Sequence, residues 1–104
     1  VTSDQATSVN LVDLLQPETH QLLQNYPNPF NPETTIPFVL QSPAVVRIDI
    51  VNSLGQLVEE VVFGRFQAGA HRVLWRPRNL PSGIYTARLI TNRVVETRRL
   101  GLLR

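Results

Sequence analysis

Two histidines, His20 and His71, stand fifty-one positions apart, and the chain has no cysteine. An enzyme needs reactive groups that converge, and these residues give little to converge. Ser42, Ser53 and Ser82 all lie in turn contexts, where hydroxyls serve to cap the backbone. Glu59 and Glu60 are adjacent, so on a strand they point to opposite faces and cannot act as a carboxylate pair. Glu33 and Asp49 read as isolated. Gly55, Gly64, Gly69, Gly83 and Gly101 are too scattered to cradle a phosphate. No His, Asp and Glu set has metal-ligand spacing. The pattern predicts a non-catalytic module without a metal or cofactor.

The stretch most restrictive of structure is Asn25-Tyr26-Pro27-Asn28-Pro29-Phe30-Asn31-Pro32. Each proline fixes φ, removes a backbone donor and pushes the preceding residue toward extended geometry. Asparagine amides fold back onto nearby backbone groups. The run therefore predicts a stiff, extended segment with tight turns, anchored by Tyr26 and Phe30.

Beyond it the pattern has period two. Ile36, Phe38 and Leu40 alternate along one run, where Pro37 argues for an edge strand. Val46, Ile48 and Ile50 alternate with Arg47 and Asp49. Asn52-Ser53-Leu54-Gly55 reads as a turn of about four residues joining this strand to Gln56–Phe63 as a hairpin. Gly64 reads as the end of that strand and Gln67-Ala68-Gly69 as the next turn. His71–Trp75 follows as a strand with Val73 and Trp75 on one face. After a loop at 76–83 comes Ile84–Ile90, with Tyr85, Ala87 and Leu89 together. Thr91-Asn92-Arg93 turns into a last strand, Val94–Leu103. With a short edge strand at 20–25, this predicts an all-β fold: an immunoglobulin-like antiparallel β-sandwich of about seven strands. Trp75 reads either as a core anchor between the sheets or as an exposed ring for stacking on a ligand. Residues 1–19 read as a linker from an upstream domain, with Leu11–Leu15 as one helical turn or a loosely docked strand. Residues 20–104 read as the sandwich domain.

A chain of 104 residues with 42% hydrophobic residues and a mean hydropathy of −0.06 fits one domain with a modest core. No apolar run approaches the roughly 18–20 residues of a spanning helix. The chain begins at Val1 with no Met and no leader, and reads as a piece of a longer protein with any leader upstream. Residues 1–33 carry Asp4, Asp13, Glu18 and Glu33 and no arginine, whereas all ten arginines follow. A basic half of this kind suits nucleic acid or an anionic membrane, but Arg47, Arg72, Arg88 and Arg98 alternate with apolar residues as the wet faces of strands would. No nucleic-acid motif accompanies them.

Several segments fall in a recognisable order. They are Gln24–Pro32, Thr34–Phe38, Asn52–Val58, Ala68–His71, Trp75, Leu80–Tyr85 and Glu96–Leu100. Together they resemble the C-terminal sorting domain, type A, of cargo proteins of the type IX (Por) secretion system, over residues 20–104. The residues that carry the motif are Asn28, Pro29, Phe30, Asn31, Pro32, Gly55, Pro81, Gly83 and Tyr85. The resemblance implies a secretion signal that moves an attached cargo from the periplasm across the outer membrane to the surface or medium. It implies an outer-membrane translocon, a shuttle protein and a sortase-like peptidase as partners. The tail Arg98, Arg99, Leu100, Gly101, Leu102, Leu103 and Arg104 resembles the family's basic-apolar end, with Arg where Lys is usual. A terminal edge strand is reachable by a partner, so the tail is the expected contact with the translocon. Arg76-Pro77-Arg78-Asn79 departs from the Asp-Gly turn common in the family, and Gly101 is weak in β propensity. A competing reading is an accessory carbohydrate-binding or adhesion module, with Trp75, Tyr26 or Tyr85 stacked on a sugar. A third is a structural domain resembling the immunoglobulin-like part of flagellar hook-capping proteins.

Overall fold

Alternating apolar residues become two facing sheets in the computed structural model, which describes residues 20–104. The linker expected at 1–19, with its Leu11–Leu15 cluster, lies outside the described residues. The strands are β1 (His20–Leu22), β2 (Thr34–Leu40), β3 (Ala44–Val51), β4 (Leu57–Phe66), β5 (Gly69–Trp75), β6 (Gly83–Ile90) and β7 (Val95–Leu102). One sheet has the order β1-β2-β5 and the other β4-β3-β6-β7, and every strand pairing is antiparallel. This is an immunoglobulin-like sandwich, with no helix among the described residues.

Its core is the one that period two specifies. Ile36, Phe38 and Leu40 of β2 face Val46, Ile48 and Ile50 of β3 and Tyr85, Ala87 and Leu89 of β6, all buried. Trp75 is 2% exposed and closes this core beside Phe30 and Tyr85. Its indole N–H donates to Glu59 Oε1 at 2.9 Å, so the only tryptophan is a core anchor with its polar edge satisfied.

Four local expectations are corrected. Pro37 lies in the central strand of its sheet, not at an edge. Its carbonyl accepts from Leu23 N–H at 3.0 Å, so the missing donor faces β1. There β1 pairing stops, after Leu22 opposite Phe38. The lost bond is absorbed by a short neighbour. Gly64 does not end β4, which continues to Phe66 with Gly64 opposite Val46. Tyr26 is no core anchor, being 49% exposed. The preceding Asn25 takes the inward position, with its amide donating to Thr34 Oγ1 and to Pro27 O, so alternation turns Tyr26 outward. Only Phe30, at 2% exposure, is buried from that pair. Asp49 is not isolated. It is fully buried on the outer side of the four-stranded sheet, where Arg88 donates to both carboxylate oxygens at 2.8 and 3.1 Å. Arg47 lies 3.4 Å from the same carboxylate and 3.3 Å from Glu60. The hydrogen bonds that Arg88 donates to Asp49 hold the guanidinium pKa above its ordinary value, against the opposing pull of burial.

The outer edge of β7 is covered by the chain that precedes β2. Gln24 Nε2 donates to Arg99 O at 2.7 Å, and Gly101 N–H donates to Asn28 Oδ1 at 2.9 Å. Phe30 N–H then donates to Gly101 O at 2.9 Å, and Leu103 N–H to Phe30 O at 3.0 Å. Upstream, Leu22 N–H donates to Glu96 Oε1. The asparagine-proline run thus clasps the last strand and sinks Phe30 into the core. A Cβ on Gly101 would meet Pro29 Cβ at 3.6 Å, Asn28 Oδ1 at 3.7 Å and Ile84 Cδ1 at 3.8 Å. Those are ordinary contacts for one methyl group, and a larger side chain would have these neighbours to displace.

Two stability measurements follow from denaturant midpoints at unchanged slope. Arg88→Ala costs about 2–4 kcal/mol, tempered from the full one-sided penalty of a buried pair because Arg47 remains. Asp49→Asn costs about 1 kcal/mol, since the partly exposed arginines rehydrate; equal losses would contradict the asymmetry. At the clasp, Gly101→Ala stays within about 0.5 kcal/mol, whereas Gly101→Val costs about 1–3 kcal/mol by overpacking. A harmless valine would mean that residues 28–30 do not press on β7.

Candidate functional site

The residues singled out by motif gather at one pole of the sandwich. Three connections build it: the Asn52–Gln56 turn between β3 and β4, the 76–82 loop between β5 and β6, and the clasp against the end of β7.

The turn is fixed by one asparagine. Asn52 Oδ1 accepts from Leu54 N–H at 2.9 Å and Gln56 N–H at 3.0 Å, and its amide donates to Gln56 Oε1. Asn52 N–H also donates to Gln56 O, and Gly55 N–H to Asn52 O. Gly55 adopts a φ of 81°, a left-handed value natural to glycine. The expected hairpin is therefore present, and it holds Leu54 outward at 80% exposure.

The loop before β6 is tied down from inside and outside. Tyr85 is buried, and its hydroxyl donates to Pro81 O at 2.7 Å. That bond fixes the Pro81-Ser82-Gly83 lead-in to the strand. Tyr85 packs edge-on to Trp75, which in turn meets Phe30 at a centroid distance of 5.6 Å. Asn79 takes a φ of 60°, a conformation asparagine tolerates. From outside, Arg104 N–H donates to Ser82 Oγ at 2.7 Å. Its guanidinium donates to Leu80 O at 2.8 Å and Pro77 O at 3.0 Å.

The expected tail divides in two. Arg98, Arg99, Leu103 and Arg104 are exposed, Gly101 is half-buried, and Leu100 and Leu102 lie in the core. The expectation of a reachable edge over this stretch is corrected, because the clasp occupies the β7 edge at Arg99, Gly101 and Leu103. Among the motif residues, Asn28, Pro29, Asn31, Pro32, Gly55, Pro81 and Gly83 are exposed, while Phe30 and Tyr85 are buried. Of the three rings needed by a sugar-stacking reading, Trp75 and Tyr85 are enclosed and Tyr26 alone is exposed.

The histidines have structural contacts. His71 stacks on Phe38 at 5.2 Å and its Nε2 lies 2.7 Å from Gln67 O. His20 is fully buried, with Nδ1 accepting from Gln41 N–H. No group of three metal-binding side chains occurs among the described residues. What the pole presents to solvent is a surface of cations, apolar side chains and fixed backbone. The Asn28–Gly101 contact was missed from sequence although its signal was present, since a glycine inside a strand marks a close backbone approach.

No curated protein and no solved structure matches the chain. The family model described as the secretion system C-terminal sorting domain matches residues 24–101. The match runs from the start of the clasp to the glycine it closes on, and the chain belongs to this family of type IX sorting domains.

Proposed function

We propose that this domain is a non-catalytic sorting module, read by the secretion machinery as a folded surface rather than as a linear tail. The attached cargo crosses the outer membrane after passage through the periplasm. The partners are the outer-membrane translocon and a shuttle protein, followed by a sortase-like peptidase that cleaves the domain and leaves the cargo at the surface. The observation that supports this reading is the convergence of the motif segments on one pole, where Gly101 and the exposed Leu103 bond to Asn28 and Phe30 and the exposed Arg104 bonds to the 76–82 loop. Two of the tail's leucines are core residues, so a partner meets the remainder of the tail in the geometry the fold imposes.

The test is export of a periplasmic reporter fused to the whole chain, in a host with the system. Deleting Leu100–Arg104 would confuse signal with stability, because it removes Leu100 and Leu102 from the core. Surface substitutions avoid this. Combined Arg98→Glu, Arg99→Glu and Leu103→Ser leave the melting transition in place and lower the exported fraction by about tenfold, the equivalent of a 1.4 kcal/mol contact. Export at the original level with all three changed would refute the reading of this surface.

A further inference from the structure

Beside the clasp, the Asn52–Gln56 turn leans toward the start of β6. Between them lies a hollow of about 290 Å³, walled by Leu54, Val58, Pro81 and Ile84. Across Ile84 lies a second hollow of about 470 Å³, bounded by Val51, Thr86 and Arg99. The two share Asn52, Ser53 and Ile84. Among the described residues no aspartate or glutamate lines either one, and Arg99 is the charged residue present.

The exposure of the apolar walls is imposed by structure. Leu54, 80% exposed, is held out by the hydrogen bonds of Asn52. Ile84, 56% exposed, follows a loop locked by Tyr85 and by Arg104. A ligand entering here meets walls already ordered, so little conformational freedom is lost on binding. Nothing in the fold requires a leucine at the tip of the turn, whereas a binding surface has use for one.

We propose that this paired groove docks an extended segment of a partner protein that carries an apolar side chain and, two residues on, a carboxylate. In an extended chain residues i and i+2 project to the same side, about 7 Å apart. The two hollows share the walls Asn52, Ser53 and Ile84 and so lie side by side, the arrangement such a pair would use. The apolar residue seats between Leu54 and Ile84, and the carboxylate meets Arg99, where a guanidinium favours a bidentate contact. The residue between them points away. The proposal rests on reading the pole as a recognition surface and names the chemistry that surface selects.

The probes are three blocked hexapeptides of sequence Gly-Leu-Ser-Asp-Gly-Gly, Gly-Leu-Ser-Lys-Gly-Gly and Gly-Ser-Ser-Asp-Gly-Gly, titrated into the isotope-labelled 104-residue chain and followed by amide chemical shifts. The first gives saturable shifts centred on Ser53, Leu54, Ile84 and Arg99, and binds at least about tenfold more tightly than the others. Arg99→Glu reverses the preference between the aspartate and lysine peptides. Leu54→Ser, at an exposed position that leaves the fold intact, abolishes the advantage of leucine over serine. Equal affinity for the three peptides, shifts centred elsewhere, or no saturation overturns the proposal. The export assay separates its failure from that of the sorting reading. If Leu54→Ser lowers export but the peptides do not discriminate, the pole is a recognition surface with a different partner chemistry. If the peptides discriminate as expected while Leu54→Ser exports normally, the groove binds as proposed and its part in sorting falls.

Discussion

The clasp between residues 24–30 and the outer edge of β7 is the constraint on which the rest of this domain depends. An exposed strand edge presents unpaired backbone groups that invite other strands. Here the donors and acceptors at Arg99, Gly101 and Leu103 are met within the chain by Gln24, Asn28 and Phe30. The same contact inserts Phe30 beside Trp75, and Trp75 beside Tyr85. One short irregular segment therefore satisfies an edge and supplies core to both sheets. A regular strand in its place would satisfy the edge equally well, but it would not turn sharply enough to return the chain to β2. Prolines are suited to this place because each fixes φ and has no backbone donor to satisfy.

The clasp also decides what the end of the chain can present. Leu100 and Leu102 point into the sandwich, so the intervening residues point out or along the edge. The pole is then a rigid composite of segments far apart in sequence: the clasp, the Asn52 turn, the 76–82 loop and the end of β7. Rigidity of this kind lowers the entropic cost of recognition. The surface exists only in the folded chain, since no single segment carries it alone.

Much of this was legible in the sequence. Strict alternation in β2, β3 and β6 gave the fold class and the core, because the side-chain period of a strand and the need to bury one face leave little choice. The Asn52–Gly55 turn was legible for the same local reason. What was not legible depended on register between distant segments. Pro37 looked like an edge residue because its missing donor was weighed without knowing that β1 would be three residues long. Tyr26 and Phe30 looked equivalent, yet Asn25 claims the inward position next to one of them. Asp49 looked solitary because Arg88 is brought to it only by the β3–β6 pairing, in which the two are directly opposite. The tail looked free because the segment that covers it lies some seventy positions away.

Native-state hydrogen exchange reads the opening of individual backbone bonds, and so shows whether the clasp opens apart from the rest of the fold. With the clasp part of the cooperative fold, the amides of Phe30, Gly101 and Leu103 exchange as slowly as those of Ala87 and Leu89 in β6, at the free energy of global unfolding. Rapid exchange at Phe30, Gly101 and Leu103 while β6 stays protected would show β7 to be an open edge and would contradict a clasp that belongs to the cooperative fold.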